Sequence, residues 1–403
     1  MTPGSGDDPL VTAIRDGLPG PGPYGLAVSG GGDSTALMHL CACAGIAAEV
    51  ATVDHRLRPE AADEALMVAG QAEALGYRHE TLIWEGGLAK GNLPDAARLA
   101  RRHLLSDWAK RRKLSAIVLA HTQDDVAETF LMRLARGAGV DGLSAMAPAF
   151  RAGGTQFLRP LLAIRRADLR GWLTAHAVHW AEDPTNQDPH YDRTRARNAL
   201  HSLAPLGLTA ERLAEVAGHL SEAREALESA TDALLHRTVT QEGDGIALRL
   251  DAPALFAAPA DLHRRALVAI LQWFAPAPYA PRGDQVAILT QRLRDRQPTQ
   301  LHGVRFFQHQ GQLWCCLEPQ APVTRWHMEP KADQLTLRPL GADGLPQCPD
   351  WRGMGLPRAA LLTAPSLWDK GCLIAAPHAG LPAGFRAQLR QSGPPATRSH
   401  ISH

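Results

Sequence analysis

Tyr24-Gly25-Leu26-Ala27-Val28 runs directly into Ser29-Gly30-Gly31-Gly32-Asp33-Ser34-Thr35, and this junction decides the fold. The apolar run reads as a short buried strand. Leu37, Leu40 and Cys41, spaced i, i+3, i+4, read as the helix that follows. Glycines between the two let the backbone close around an anion, while the N–H groups at the helix start point towards it. Ser29, Ser34 and Thr35 add hydroxyls. Asp33 is informative because a carboxylate beside phosphates is repulsive unless a divalent cation lies between them. The G-K-[ST] ending of a Walker loop is missing, and Thr35 stands where the last glycine of a dinucleotide fingerprint would fall. The stretch therefore predicts a phosphate-cradling turn of another kind. Ser29, Gly30, Gly31, Gly32, Asp33, Ser34 and Thr35 are its nucleotide-binding residues, and Asp33 is also a catalytic residue and metal ligand.

Outward from this loop, strand-like and helix-like segments alternate. Ala47 to Val53 reads as a strand, Glu60 to Leu75 as a helix ending at Gly76, and Thr81 to Trp84 as a third strand. A helix over Pro94 to Lys113 precedes the apolar strand Ala116 to Ala120. Ala127, Phe130, Leu131 and Leu134 then mark a helix closed by Gly137. Such alternation predicts an α/β domain with a parallel sheet covered on both faces. Thr52 to Arg58 leaves the second strand where an adenine or ribose would lie, which nominates Val53, Asp54 and His55.

Ala120-His121-Thr122-Gln123-Asp124-Asp125 runs from the buried strand into a helix, with Asp124 or Asp125 able to cap it. Asp125 and Glu128 lie three apart on one helical face, an acidic pair suited to metal binding or proton removal. Arg98, Arg101, Arg102, Lys110, Arg111, Arg112 and Lys113 crowd one predicted helix with little acidic relief. Arg193, Arg195 and Arg197 alternate, so in an extended segment all three would face one side. Both clusters suit RNA phosphates, and Arg98 could equally neutralise a nucleotide.

Pro205-Leu206-Gly207 reads as a boundary. Thr209 can cap a long helix whose face is Leu213, Val216, Ala217 and Leu220, and Asp261 to Phe274 reads as another helix. Val304 to Phe307 and Leu313 to Leu317 look like a hairpin, and the tail beyond Gly393 reads as frayed. The division expected is a catalytic domain over 1–205, a mainly helical RNA-contacting domain over 206–299, and a small α+β region over 300–403 with a flexible tail.

Composition narrows the function. At 403 residues, 45% hydrophobic and 21% charged, the chain has the mix of an ordinary globular protein. It lacks an apolar run long enough to span a bilayer, and its acidic start has no signal-peptide pattern, so a cytoplasmic protein without a membrane partner is expected. Lys and Arg number 42 against 41 Asp and Glu, so nucleic-acid contact must come from local patches. The six cysteines show no C-x-x-C pair and no zinc spacing, and read as buried reduced thiols.

The S-G-G-x-D-S loop resembles the pyrophosphate (PP) loop of the N-type ATP pyrophosphatases. Leu131 to Met146, Val53 to Arg58, Glu182 to Asn186 and Tyr191 to Arg197, in the same chain, are similar to the tRNA(Ile)-lysidine synthetase family over Gly25 to Arg197. Ala359 to Leu362 and Leu367 to Asp369 match it more loosely. The resemblance implies a ligase that forms a C–N bond. ATP and Mg²⁺ would adenylate the C2 oxygen of the wobble cytidine in a CAU-anticodon tRNA(Ile), and an amine of free L-lysine would displace AMP. It places His121 with the nucleotide-binding set and Arg98 among the catalytic groups. Asp125 and Glu128 would act on lysine, Arg193, Arg195 and Arg197 on tRNA, and a homodimer is compatible with it. The chain departs from the family in having Pro94-Asp95 ahead of Ala97-Arg98, Arg101-Arg102 for Arg-Tyr, and Arg193-Thr194 for Arg-Asn. A PP-loop tRNA thiolase and a non-catalytic RNA-binding module are the alternatives. Thiolation would need a cysteine pair, whereas Cys41 and Cys43 sit at i, i+2 on a helix and point to different sides.

Overall fold

The computed structural model describes residues 8–56, 61–85, 93–182, 192–277, 280–321, 324–329, 334–389 and 393–397. Leu57 and Arg58, Asp183 to Asn186 and Tyr191, all quoted above, lie outside the described residues, as do the side chains of Pro94 and Asp95. The described residues divide into two compact units, one up to residue 224 and the other from 225 on.

The first unit runs α1 (Pro9–Gly17), β1 (Tyr24–Ala27), α2 (Gly32–Cys43), β2 (Ala48–Asp54), α3 (Ala61–Ala74), β3 (Arg78–Ile83), α4 (Leu93–Arg112), β4 (Ala116–Val118), α5 (Gln123–Leu134) and α6 (Val140–Leu143). It continues through β5 (Ala149–Ala152), β6 (Thr155–Leu158), α7 (Arg166–Ala175), α8 (Asp192–Leu203) and the start of α9 (Ala210–Thr238). Its sheet has the order β3-β2-β1-β4-β6-β5. The first five strands are parallel, and β5 adds an antiparallel edge that the sequence did not mark.

Strand alternation builds the two faces. Leu26, Val50, Val118 and Leu158 pack with α1, α2 and α7 on one side, while Ala27, Ala51, Ile117 and Phe157 pack with α4 on the other. Gly25 admits Trp108 of α4: a Cβ there would meet the indole at 2.5 Å and Ile117 at 2.6 Å. The chain winds outward from β1 to β3, then returns to β4 on the far side of β1. Crevices open at such a reversal, at the carboxyl ends of the strands, and here these are the loops after β1 and β4.

Three local expectations need correction. The N-cap of α5 is Thr122, not an aspartate: its Oγ1 accepts from the Asp125 N–H at 3.4 Å while Asp125 Oδ2 accepts from the Thr122 N–H at 2.8 Å, a capping box. Arg193, Arg195 and Arg197 are helical, in α8, so Arg193 and Arg197 share a face and Arg195 turns away to Asp192. Thr209 does cap α9, accepting from the Arg212 N–H at 3.3 Å, but only Leu213 and Ala217 of the proposed face are buried while Val216 is exposed.

Helix α9 is unbroken across residues 210–238, so the two units part inside it, at 224/225. The second unit adds β7 (Val239–Glu242), β8 (Ala247–Leu250), α10 (Ala252–Ala257), α11 (Ala260–Phe274), α12 (Gly283–Arg294), β9 (Thr299–Leu301), β10 (Val304–His309) and β11 (Gln312–Leu317). The predicted hairpin is β10–β11, within the sheet β7-β8-β11-β10-β9. That sheet joins strands from both sides of residue 300. Leu248, Leu250, Leu313 and Cys315 face α11 and α12; Ala247, Trp314 and Cys316 face the smaller C-terminal elements. These are β12 (Trp326–Glu329), β13 (Thr336–Pro339), α13 (Gly341–Gly344), α14 (Arg358–Leu361), β14 (Pro365–Asp369), β15 (Cys372–Ala375) and β16 (Arg386–Leu389). Residues 393–397 are tied down where frayed chain was expected, the Gly393 carbonyl accepting from Trp273 Nε1 at 3.0 Å and Thr397 bonding Asp232; the rest of the tail lies outside the described residues. Cys41, Cys315, Cys316 and Cys348 are buried as expected, but Cys372 is exposed and Cys43 half-buried. Among the described residues no helix is long and apolar enough to cross a membrane.

Candidate active site

The glycine loop after β1 is held from within. Ser34 Oγ donates to the Gly31 carbonyl at 2.9 Å and accepts from the Ser29 N–H at 3.1 Å, and Thr35 Oγ1 donates to the Gly30 carbonyl at 3.2 Å. Gly30 sits at φ +90°, a conformation open to glycine. Ala181 N–H bonds the Gly30 carbonyl at 2.9 Å, tying the chain after α7 to the loop. A Cβ on Gly31 would meet nothing closer than 3.8 Å, so the loop leaves a cradle that side chains would fill. No side chain caps the N-terminus of α2, whose first amides remain for an anion. Thr35 is fully buried and braces the loop.

In front of the loop lies a cavity of about 460 Å³. Ser29, Gly31, Gly32, Asp33 and Ser34 line it from one side, His121 and Asp125 from the β4–α5 junction, and Arg193 and Arg197 from α8. Arg101, Arg166, Arg170 and Glu182 complete its charged lining, so five arginines meet three carboxylates, a surplus that suits a polyphosphate. A side cavity of about 270 Å³ adjoins it, sharing Ala27, Ser29 and Arg101, and is lined by Val53 and His55 at the end of β2 and by Glu64 of α3. The His55 ring meets Trp84 edge-on, and its Nδ1 is buried without a partner. Burial, with Arg101 nearby, keeps this imidazole neutral. Asp54 instead accepts from the Arg56 N–H at 2.8 Å.

Arg166 organises the centre. Its Nε donates to Asp33 Oδ2 at 3.0 Å, Nη1 to Glu128 Oε1 at 2.9 Å and Nη2 to Asp125 Oδ1 at 3.1 Å. Arg193 bonds Asp125 Oδ1 at 2.9 Å and Glu128 Oε2 at 3.0 Å; Arg197 bonds Glu128 Oε1 at 3.0 Å. Burial opposes the charge of Asp125, but Arg193 and Arg166 outweigh it and hold the carboxyl below the ordinary range. For Asp33 the balance reverses: burial prevails over Arg166 and raises its pKa. The guanidinium of Arg166 is raised in turn by its three carboxylates. His121 Nδ1 accepts from Arg159 Nε at 3.2 Å, which puts the ring proton on Nε2. Burial and the neighbouring arginines push its pKa down to about 3, so it is neutral.

Some expected residues stand apart. Glu128 is fully buried behind the cavity, its charge taken up by three arginines. Arg98 is exposed and does not line the cavity; Arg101, one turn further along α4, does. Arg195 belongs to the Asp192 pair. The basic end of α4 is engaged elsewhere, with Arg112 on Glu49 at 2.7 Å and Arg111 on Glu80. Sequence reasoning missed Arg166, Arg170 and Trp180. Arg166 opens α7, where a cation opposes the helix dipole; that mismatch was its one local signal. Asp124 satisfies that helix start, accepting from the Arg166 N–H at 2.7 Å. Trp180 lies over the loop, its indole nitrogen buried without a partner and 3.5 Å from where a Gly32 Cβ would stand.

An open parallel sheet with a glycine cradle at its reversal point is the architecture of a PP-loop domain. The PP-loop domain family model matches residues 19–204. The chain is 46% identical over 395 residues to the tRNA(Ile)-lysidine synthase of Ruegeria pomeroyi, covering 94% of each protein. It is 40% identical to that of a Bradyrhizobium species, over 66% of this chain and 80% of the relative. It belongs to the tRNA(Ile)-lysidine synthase family. Among solved structures it is similar to the U34-tRNA thiolase of Methanococcus maripaludis, at 16% identity and a TM-score of 0.45, covering 53% of this chain and 78% of that one.

Proposed function

We propose that this chain ligates free L-lysine to C2 of the wobble cytidine (position 34) of CAU-anticodon tRNA(Ile). The C2 oxygen attacks the α-phosphorus of ATP and pyrophosphate departs; an amine of lysine then attacks C2 and AMP leaves. The observation that carries this reading is the meeting, in one cavity, of the glycine cradle, Asp33, Asp125 and two arginines of α8.

The triphosphate lies against the α2 amides, with Arg101 between the phosphate and adenosine cavities. His55 and Val53 border the adenosine side. Asp33 fits a hard cation: Oδ1 is buried without a partner, and Mg²⁺ is commonly held by one or two carboxylates plus phosphate oxygens. Held by Asp33, Mg²⁺ would supply positive charge against the phosphate oxygens. Arg193 and Arg197 meet the RNA phosphate near the cytidine, which an unpaired anticodon loop presents at little cost. Asp125, held anionic, anchors the lysine ammonium and is a weak proton acceptor. Glu128 fixes the arginines around it. The region beyond 205 contacts tRNA by shape and a few bases. A thiolase chemistry finds no support in Cys41, which is buried with its thiol pKa raised by that burial, nor in Cys43, since neither lines the cavity. Asp33→Ala should fold normally yet release no AMP from ATP in the presence of lysine and tRNA(Ile); near-normal AMP release would remove the loop carboxylate from the mechanism.

A further inference from the structure

Arg159, just past the end of β6, is 2% exposed and does not line the active-site cavity. Burial, with the charges of Arg98, Arg102 and Arg133 nearby, pulls its pKa down to about 10, so it stays protonated at neutral pH. Nη1 donates to the Ala147 carbonyl at 2.8 Å, and the guanidinium lies 4.3 Å from the centre of the Phe150 ring. Nη2 is buried without a partner. These contacts brace β5 against β6, but an apolar side chain would do so without the cost of a buried cation. The remaining contact reaches the active site: Nε donates to His121 Nδ1 at 3.2 Å.

Arginine offers only donors, so Nδ1 presents its lone pair and the single proton of the neutral ring lies on Nε2. A catalytic base is wired the other way: a carboxylate or carbonyl accepts from Nδ1 and leaves Nε2 free to take a proton. His121 has no free lone pair at Nε2, and a proton added at Nδ1 would face the Arg159 N–H. It is a donor. Among the described residues no protein group bonds Nε2, and the ring lines the cavity. The side cavity lies at the end of β2, the glycine cradle at the end of β1, and His121 and Asp125 at the end of β4. In the reaction given above, the group that passes between cradle and cytidine is the α-phosphate. It leaves pyrophosphate in the first step and C2 in the second. A fixed neutral donor beside it stabilises the oxygen charge that builds in both steps, and no proton moves.

We propose that Arg159 is a positioning residue that holds His121 as the Nε2–H tautomer, and that this N–H donates to the α-phosphate oxygens in both steps. The proposal rests on the function given above. Nitrogen-15 NMR of the histidine rings in the full chain reads the tautomer directly, with His121 identified by its loss in His121→Phe. In the wild type at pH 7 the ring should be neutral with its proton on Nε2, and Mg²⁺ with ATP should shift that N–H signal. A proton on Nδ1, a doubly protonated ring, or a signal indifferent to ATP would overturn the proposal. These readings need neither an Arg159 variant nor tRNA. Arg159→Met keeps bulk and removes the donor, so its His121 signal should spread over both tautomers. Outright loss of a donor to a developing oxyanion costs about 10²–10³ in kcat, the fall expected of His121→Phe in AMP release with lysine and tRNA(Ile). Arg159→Met, which only loosens the donor, should lose about ten-fold, with KM for ATP and for lysine within about two-fold of wild type. Because Arg159 acts through His121, the double variant should be no slower than His121→Phe alone. Losses that multiply in the double variant would overturn the proposal. So would an Arg159→Met enzyme with lowered Tm but wild-type tautomer and kcat, which would make Arg159 a brace only. A wild-type enzyme that releases no AMP with lysine and tRNA(Ile) would instead overturn the function and leave the tautomer readings intact.

Discussion

Glu128→Gln tests whether the buried carboxylate is the anchor of the active-site arginines. Its oxygens accept from Arg166 at 2.9 Å and from Arg193 and Arg197 at 3.0 Å each, with no solvent exposure. Glutamine keeps the shape but loses the charge, and its amide N–H groups face guanidinium donors. Removing one partner of a buried ion pair costs about 3–5 kcal/mol. Two features temper this. Asp125 still engages Arg166 and Arg193, and the Arg197 side chain, 31% exposed, can turn to water. A loss near the lower bound, about 3 kcal/mol, follows. In a unit of this size each kcal/mol lowers Tm by about 2–4 °C, so a fall of about 6–12 °C is expected. Calorimetry on the full chain reads this directly, because the transition that ATP raises belongs to the unit that binds it. ATP affinity should not fall, since the cavity gains positive charge. A Tm change below about 3 °C, equivalent to roughly 1 kcal/mol, would show that the arginines do not depend on Glu128.

Asp125→Asn should raise the lysine concentration required for half-maximal transfer, or slow transfer, while ATP affinity changes little; parallel loss of ATP binding would place Asp125 in the nucleotide site instead. His121 gives a pH prediction with a defined sign. Its folded pKa, about 3, lies below the ordinary histidine value, so the unfolded chain binds the proton first on acidification. This contribution to stability is complete above about pH 6.5 and falls by up to about 1.4 kcal/mol per pH unit below it. Urea unfolding between pH 7 and 4.5 should therefore show a shallower pH slope for His121→Gln than for wild type; identical slopes would contradict a neutral, buried imidazole.

The parallel core and the glycine loop were legible because both are written locally. Leu26/Ala27 and Ile117/Val118 alternate between faces at the strand period, and Gly30 marks a backbone that only the loop requires. The ionic centre was half legible: Asp125 and Glu128 are one helical turn apart, but Arg166 reaches Asp33 across 133 positions, which no local pattern encodes. Two further differences concern helices. Arg98 and Arg101 lie one turn apart on α4, and only Arg101, further along the helix, lines the cavity. The Arg193–Arg197 spacing reads as alternation in a strand, yet the segment is helical and sorts Arg195 to the other side. Pro205 did not mark the division between units because α9 begins just after it and runs 29 residues without a break.

The most direct test of the central claim is nucleoside mass analysis of CAU-anticodon tRNA(Ile) after incubation with this protein, ATP and isotope-labelled lysine. Cytidine 34 should be converted to a lysine-bearing nucleoside carrying the label, with one AMP and one pyrophosphate released per lysine joined. An unaltered cytidine 34, or a product containing sulfur or ammonia-derived nitrogen without labelled lysine, would contradict it.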